Sequence, residues 1–206
     1  MLKVVIYPHP ALRYESVPVT RVDDDLRSVV REMFELMYES NGIGLAANQV
    51  GLPFRFFVLN TTADPERADQ ERVFINPEIV KRQRSIEDEE GCLSFPGLYS
   101  KVRRAGKIRV RAFDLEGNTI ELDADDLLGR AIQHEADHLS GRLFIDHLEP
   151  ARRVSAETKI REIEAAFRKA QREGEYESDE TIARRLDEIA ANGTIPADLA
   201  GRVSQE

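Results

Sequence analysis

Two short stretches hold the residues best suited to chemistry. In the first, His134-Glu135-Ala136-Asp137-His138, two of the chain's four histidines flank a glutamate. On a helix, residues four apart lie one turn up and roughly 40° around, so both imidazoles leave the same face. Such a pair can fill two corners of a metal's tetrahedron, with Glu135 beside them as a proton carrier. The second stretch, Glu90-Gly91-Cys92-Leu93-Ser94, carries the only cysteine of the chain. A single thiol forms no internal disulfide; it is packing filler, a nucleophile or a metal ligand.

A catalytic metal site of this type needs a third protein ligand and one position open to water. The pattern HExxHxxGxxH holds as far as Gly141 and then meets Phe144 where the third histidine should stand. His147 comes three residues late. Another kind of metallopeptidase takes a glutamate further downstream, and Glu157, Glu162 and Glu164 are available in a stretch that reads as exposed. Cys92 is the stronger candidate, because a thiolate suits a borderline or soft divalent ion. On the residues alone, a protease with HExxH geometry and a closed structural metal site both stay open.

Other elements must position these groups. Residues 25–40 place Leu26, Val29, Val30, Met33, Phe34 and Met37 on one stripe, which predicts a helix with caps among Asp23 to Asp25 and a stop at Asn41-Gly42. Residues 42–51 read as a glycine-rich loop with exposed backbone. Strands are expected at 55–60, 73–76, 79–85 and 107–114, the last turning at 115–118 into a partner at 119–122. Asp123 or Asp125 should cap a helix over about 125–140 that carries the histidine pair and ends on Gly141. The opening YPHPALR, with His9 and Arg13, reads as a turn that anchors the N-terminal segment.

Beyond Pro150 the chain becomes charge-dense. Ile160, Ile163, Phe167 and Ala170 keep helical spacing, and so do Ile182, Leu186 and Ile189. These are too few for a separate core, so we expect a catalytic region over 1–150 and a helical extension over 151–206 that is not an independent domain. The formal charge of −9 argues against a broad basic face, and so against direct sequence-specific nucleic-acid binding. One cysteine suits a reducing compartment. The apolar run before Pro8 is too short for a signal peptide, and nothing approaches a membrane span, so a cytoplasmic protein is expected.

Three blocks, Gly42–Gln49 (GIGLAANQ), Glu90–Ser94 (EGCLS) and Gln133–Gly141 (QHEADHLSG), appear complete and in this order. The region they mark resembles the peptide deformylases, whose blocks are GxGxAAxQ, EGCLS and QHExDHLxG. The resemblance implies an α+β fold: mixed or antiparallel β-sheets packed around a central metal-binding helix, here with a C-terminal helical extension. It implies a metal-dependent hydrolase that removes the formyl group from the formylmethionine of nascent polypeptides and releases formate. Cys92, His134 and His138 would hold one divalent ion, Fe2+ in the cell, with Zn2+ or Ni2+ in purified protein. Glu135 would shuttle the proton, and the Gln49 side chain with the Leu93 backbone N–H would donate to the oxyanion.

The substrate would pair in strand fashion with Ile43 and Gly44, and run close over Gly91. Its methionine needs an apolar pocket, for which Leu127, Ala131 and Ile43 are candidates. Arg130 leans toward the same side and could reach Glu90, while Gln133 and Asp137 are expected to orient the ligands. N-formylmethionyl peptides are thus the expected partners. The ribosome is a candidate partner because the substrate is a nascent chain, whereas a membrane is not.

Overall fold

A computed structural model of the chain describes residues 2–196; the rest of the expected extension lies outside the described residues. Its strands in chain order are β1 (Gly44–Ala46), β2 (Phe56–Leu59), β3 (Arg72–Gln83), β4 (Ile86–Gly91), β5 (Tyr99–Arg104), β6 (Lys107–Phe113) and β7 (Thr119–Asp125). The helices are α1 (Asp24–Glu39), α2 (Asp126–His138), α3 (Pro150–Arg172) and α4 (Asp179–Asn192). A five-stranded sheet runs β1-β2-β3-β6-β7 with every neighbouring pair antiparallel, and β4-β5 form a separate hairpin. The fold is α+β, as expected. No helix among the described residues is long and apolar enough to cross a membrane.

Helix α1 begins where the Asp23 carboxylate accepts the Leu26 N–H at 3.0 Å. Its stripe from Leu26 to Met37 is buried with Leu45, Phe56, Val58 and Ile75. On the other side, Ala131, Ile132 and Leu139 pack with Phe57, Phe74, Ile108, Val110 and Ala112. Helix α2 is therefore held against the sheet between β1 and β7, with its polar face free for chemistry.

Three details differ from the sequence reading. The glycine-rich stretch is not all loop: Gly44–Ala46 pairs with β2, and Ala47–Val50 closes a 3₁₀ turn. The strands expected at 73–76 and 79–85 are one strand, β3, whose register shifts between Ile75 and Glu78. That bulge places Pro77, which has no N–H, where the ladder is already broken, and Asn76 takes a positive φ of 50°. The third difference is the β4–β5 hairpin. Its strands set Glu87 opposite Arg103 and Glu89 opposite Lys101, so charge complementarity replaces an apolar alternation.

The extension does not stand off. Ala156, Ile160 and Ile163 of α3 are buried with Phe95, Leu98, Val102 and Phe144. Rings of Phe167 and Tyr176 meet the edge of His9 at 6.0 Å each. Ile182 and Leu186 of α4 cover Ala11, and Ile189 joins the α1 cluster with Leu2. Between extension and sheet, the N-terminal segment ties to the 3₁₀ turn after β1 and to the segment after β4: the Val5 N–H donates to the Gln49 carbonyl at 2.8 Å and the Tyr7 N–H to the Ser94 carbonyl at 3.1 Å.

Candidate active site

Helix α2 presents His134 and Glu135 to a cavity of about 700 Å³ whose opposite walls come from residues 40–44 and the 89–99 segment. The expected residues converge there. Ile43, Gly44, Gln49, Gly91, Cys92, Leu93, Leu127, Ala131, His134 and Glu135 all line it, while His138 is buried directly behind at 1% exposure. Leu127 stands at the mouth and is 49% exposed, whereas Ala131 is buried.

Ligand atoms of Cys92, His134 and His138 lie within 4.8 Å of one another. The Cys92 Sγ to His138 Nε2 distance is 3.4 Å. Bond lengths of about 2.0–2.3 Å around a tetrahedral ion give edges of about 3.3–3.8 Å, so the cluster fits one ion with little movement. His134 Nδ1 lies 3.1 Å from Glu90 Oε2, which fixes the proton on that nitrogen and turns Nε2 inward. His147, by contrast, pairs its Nε2 with Asp137 at 2.8 Å and belongs to no ligand cluster among the described residues.

Behind the histidines lies a buried charge network. The Glu90 carboxylate receives both arms of Arg104, at 2.6 and 2.9 Å, and the Arg130 guanidinium at 2.6 Å. Arg104 donates its remaining nitrogen to Asp137 at 2.6 Å. Burial works against ionising Glu90, but hydrogen bonds from His134 and Arg104 hold its carboxyl well below the usual range. Arg130 also donates to the Val102 and Ile86 carbonyls, so it pins the hairpin to α2. Its contact with Glu90 was anticipated; Arg104 was not. Alternation in Tyr99–Arg104 puts Arg104 on the buried face with Val102, a signal carried by only one apolar residue in a charged run. Gln133 touches no ligand. Its amide brackets the Ala105 peptide at 3.0 and 2.9 Å and ties α2 to the β5–β6 turn.

Glu135 is shaped by the same surroundings. Burial pushes its carboxyl up to about 7, and Glu90 adds to that push against the pull of His134 and Arg104. A carboxyl poised there can both take and give a proton near neutral pH. Gly44 is what lets it in: a Cβ at that position would sit 2.5 Å from Glu135 Oε1. Gln49 is equally constrained. Its Oε1 accepts the Ala46 N–H at 2.8 Å, which turns Nε2 toward Cys92 Sγ at 3.5 Å and Ser94 Oγ at 3.3 Å. Gly91 lies under the Tyr99 ring, whose nearest carbon would be 2.6 Å from an added Cβ.

Residues 1–154 match the family model described as polypeptide deformylase. The chain belongs to that family. Peptide deformylases of Cellvibrio japonicus and Alkalilimnicola ehrlichii are 46% and 44% identical to it, covering 78% and 79% of this chain and 94% and 90% of those proteins. The crystal structure of peptide deformylase from Plasmodium falciparum superposes with a TM-score of 0.79 at 40% identity, covering 81% of this chain and 97% of that one. Members of the family are metal-dependent hydrolases that remove the N-formyl group from nascent peptides, and this chain is an enzyme of that family.

Proposed function

We propose that Cys92 Sγ, His134 Nε2 and His138 Nε2 hold a single divalent ion, and that Glu135, Gln49 and the Leu93 N–H carry the deformylation of N-formylmethionyl peptides beside it. The observation that supports this most directly is a thiol and two imidazoles converging within 4.8 Å, next to a buried carboxyl raised to about 7. When bound, the metal supplies Lewis acidity, polarising the formyl oxygen and lowering the pKa of a water molecule.

Glu135 would take a proton from the attacking water as its oxygen adds to the formyl carbon. The Gln49 amide and Leu93 N–H donate to the oxygen that becomes negative, each worth about 3 kcal/mol or 10²–10³ in rate. Glu135 then returns the proton to the leaving amine, the C–N bond breaks and formate departs. The methionine side chain occupies the pocket of Ile43, Leu127 and Ala131, and the peptide backbone pairs along Ile43 and Gly44, with Gly91 flanking its path.

Ferrous iron is the ion we propose in the cell, with zinc or nickel acquired on purification. A sulfur and nitrogen donor set accepts all three. Iron-loaded protein should outpace zinc-loaded protein, and equal rates in a reconstitution series would count against iron. For the chain's organisation, we read 1–150 as the catalytic region and 151–206 as an extension that is not an independent domain, its described part packing against that region. Ribosome contact follows from the substrate being a nascent chain, and co-sedimentation of the full chain with ribosomes tests it. The unpaired thiol and the nascent-chain substrate support a cytoplasmic location.

The deciding experiment follows formate release from a formyl-Met tripeptide by anaerobically iron-loaded protein. Replacing Glu135 with alanine should lower kcat by roughly 10²–10⁴. Retained turnover would remove Glu135 from the reaction, and cleavage of internal peptide bonds instead would make the site a protease.

A further inference from the structure

Among the described residues, four buried side-chain polar atoms have no protein partner: Glu135 Oε2, Ser16 Oγ, Asn48 Oδ1 and His138 Nδ1. The first belongs to the proton shuttle. The residues that carry the other three all meet the C-terminal end of α2. Asn48 Nδ2 donates to the His138 carbonyl, and the Ser16 N–H donates to the neighbouring Leu139 carbonyl at 3.0 Å. Exposure is 5% at Ser16, nothing at Asn48 and 1% at His138, so bulk solvent does not serve them.

Their chemistry is complementary. His138 turns Nε2 toward Cys92, so metal binding through Nε2 leaves the proton on Nδ1, which is then a donor. Asn48 Oδ1 is an acceptor, and the Ser16 hydroxyl can be either. One donor, one acceptor and one two-way group on buried residues around the same helix end match what an internal water requires, since such waters make two to four hydrogen bonds. His134 has no such need, because its Nδ1–H already meets Glu90.

We infer that Ser16, Asn48 and His138 Nδ1 enclose one buried water, and that Asn48 and Ser16 are positioning residues that hold this ligand in its Nε2-binding form. Asn48 thus acts twice, its amide nitrogen fixing the ligand's backbone and its oxygen steering the ligand's ring. Asn48 belongs to the same block as Gln49, so one short turn would serve both the oxyanion and the metal. The inference rests on the proposed Cys92, His134 and His138 ligand set.

The test loads wild type, Ser16→Ala and Asn48→Ala with cobalt(II) without oxygen. It measures affinity by chelator competition and the ligand field by the visible spectrum. In zinc-loaded protein, nitrogen NMR reports the His138 ring proton. Both variants should bind cobalt about tenfold or more weakly, with a shifted spectrum, and the His138 Nδ1–H should lose its slow exchange. Asn48→Ala empties a fully buried site and could unfold. Ser16→Ala removes one oxygen only, so it decides the matter: wild-type affinity and an unchanged Nδ1–H signal in that variant overturn the inference. Wild type showing no thiolate-to-cobalt band would overturn the ligand set as well, a separate result.

Discussion

The metal pocket and the C-terminal extension use the same charged residue types to opposite ends. Behind the pocket's histidines, the Arg104 and Glu90 side chains are each 4% exposed and locked by several hydrogen bonds. On α3 and α4 the pairs run along the helix surface: Arg161 with Glu157 at 75% and 39% exposure, Arg184 with Glu188 at 73% and 67%. Buried charges cannot return to water when a partner is lost, so they hold geometry. Surface pairs trade one solvated state for another and contribute little. What the extension adds to stability is apolar instead, through Ile160, Ile163, Phe167, Ile182 and Leu186.

The sharpest way to break this contrast is Arg104→Leu. It strips Glu90 of two hydrogen bonds and Asp137 of one, and should cost about 3–5 kcal/mol in denaturant unfolding, with weakened metal retention. A variant as stable as wild type would mean the network does not hold the helix to the hairpin.

His9 sits on the boundary between the two regions, and it should give the next largest effect. Burial, partly offset by Asp179, pushes its pKa down from 6.5 to about 4. The unfolded chain therefore binds a proton below pH 6.5 that the folded chain refuses until about pH 4. Stability from this group is fully present above pH 6.5 and declines through that window, by on the order of 3 kcal/mol. Other groups titrate there too, so the readout is the difference between wild type and His9→Gln. The gap between their stabilities should change with pH over that interval, and parallel curves would remove His9 from the boundary's acid response. At the bottom of the scale, Arg161→Ala should shift stability by no more than about 0.5 kcal/mol at any pH; a larger loss would show that the surface pairs are not equivalent to solvation.

Much of the candidate site was legible in the sequence because its groups carry unusual chemistry at fixed spacing. His134 and His138 announce a shared helical face, and Cys92 is conspicuous by being single. The helices α1 and α2 were legible from one apolar stripe with an aspartate before it and a glycine after it, although only in α1 does that aspartate side chain cap the helix. The hairpin was hidden because its strands answer charge with charge, Glu87 to Arg103 and Glu89 to Lys101, and so show no apolar period. Arg104 was hidden with it. The bracing role of the extension was also unreadable, since sparse isoleucines at helical spacing say that a face is buried but not against what. Only the packing of Ile163 with Phe144 and of Leu186 with Ala11 supplies the partner.

Gly44 shows how narrow one position can be. Its φ is ordinary, so no backbone demand calls for glycine; the space where a methyl would go is filled by the end of the Glu135 side chain. An alanine there would meet the movable end of a side chain rather than backbone, so the fold should survive while the carboxylate is pushed off its station. A saturation library at this codon, sorted for solubility and again for turnover, should part company: many residues in the first pool, glycine in the second. Position 44 is thereby a place where the volume of one methyl group separates a chain that folds from a site whose carboxylate stays in place.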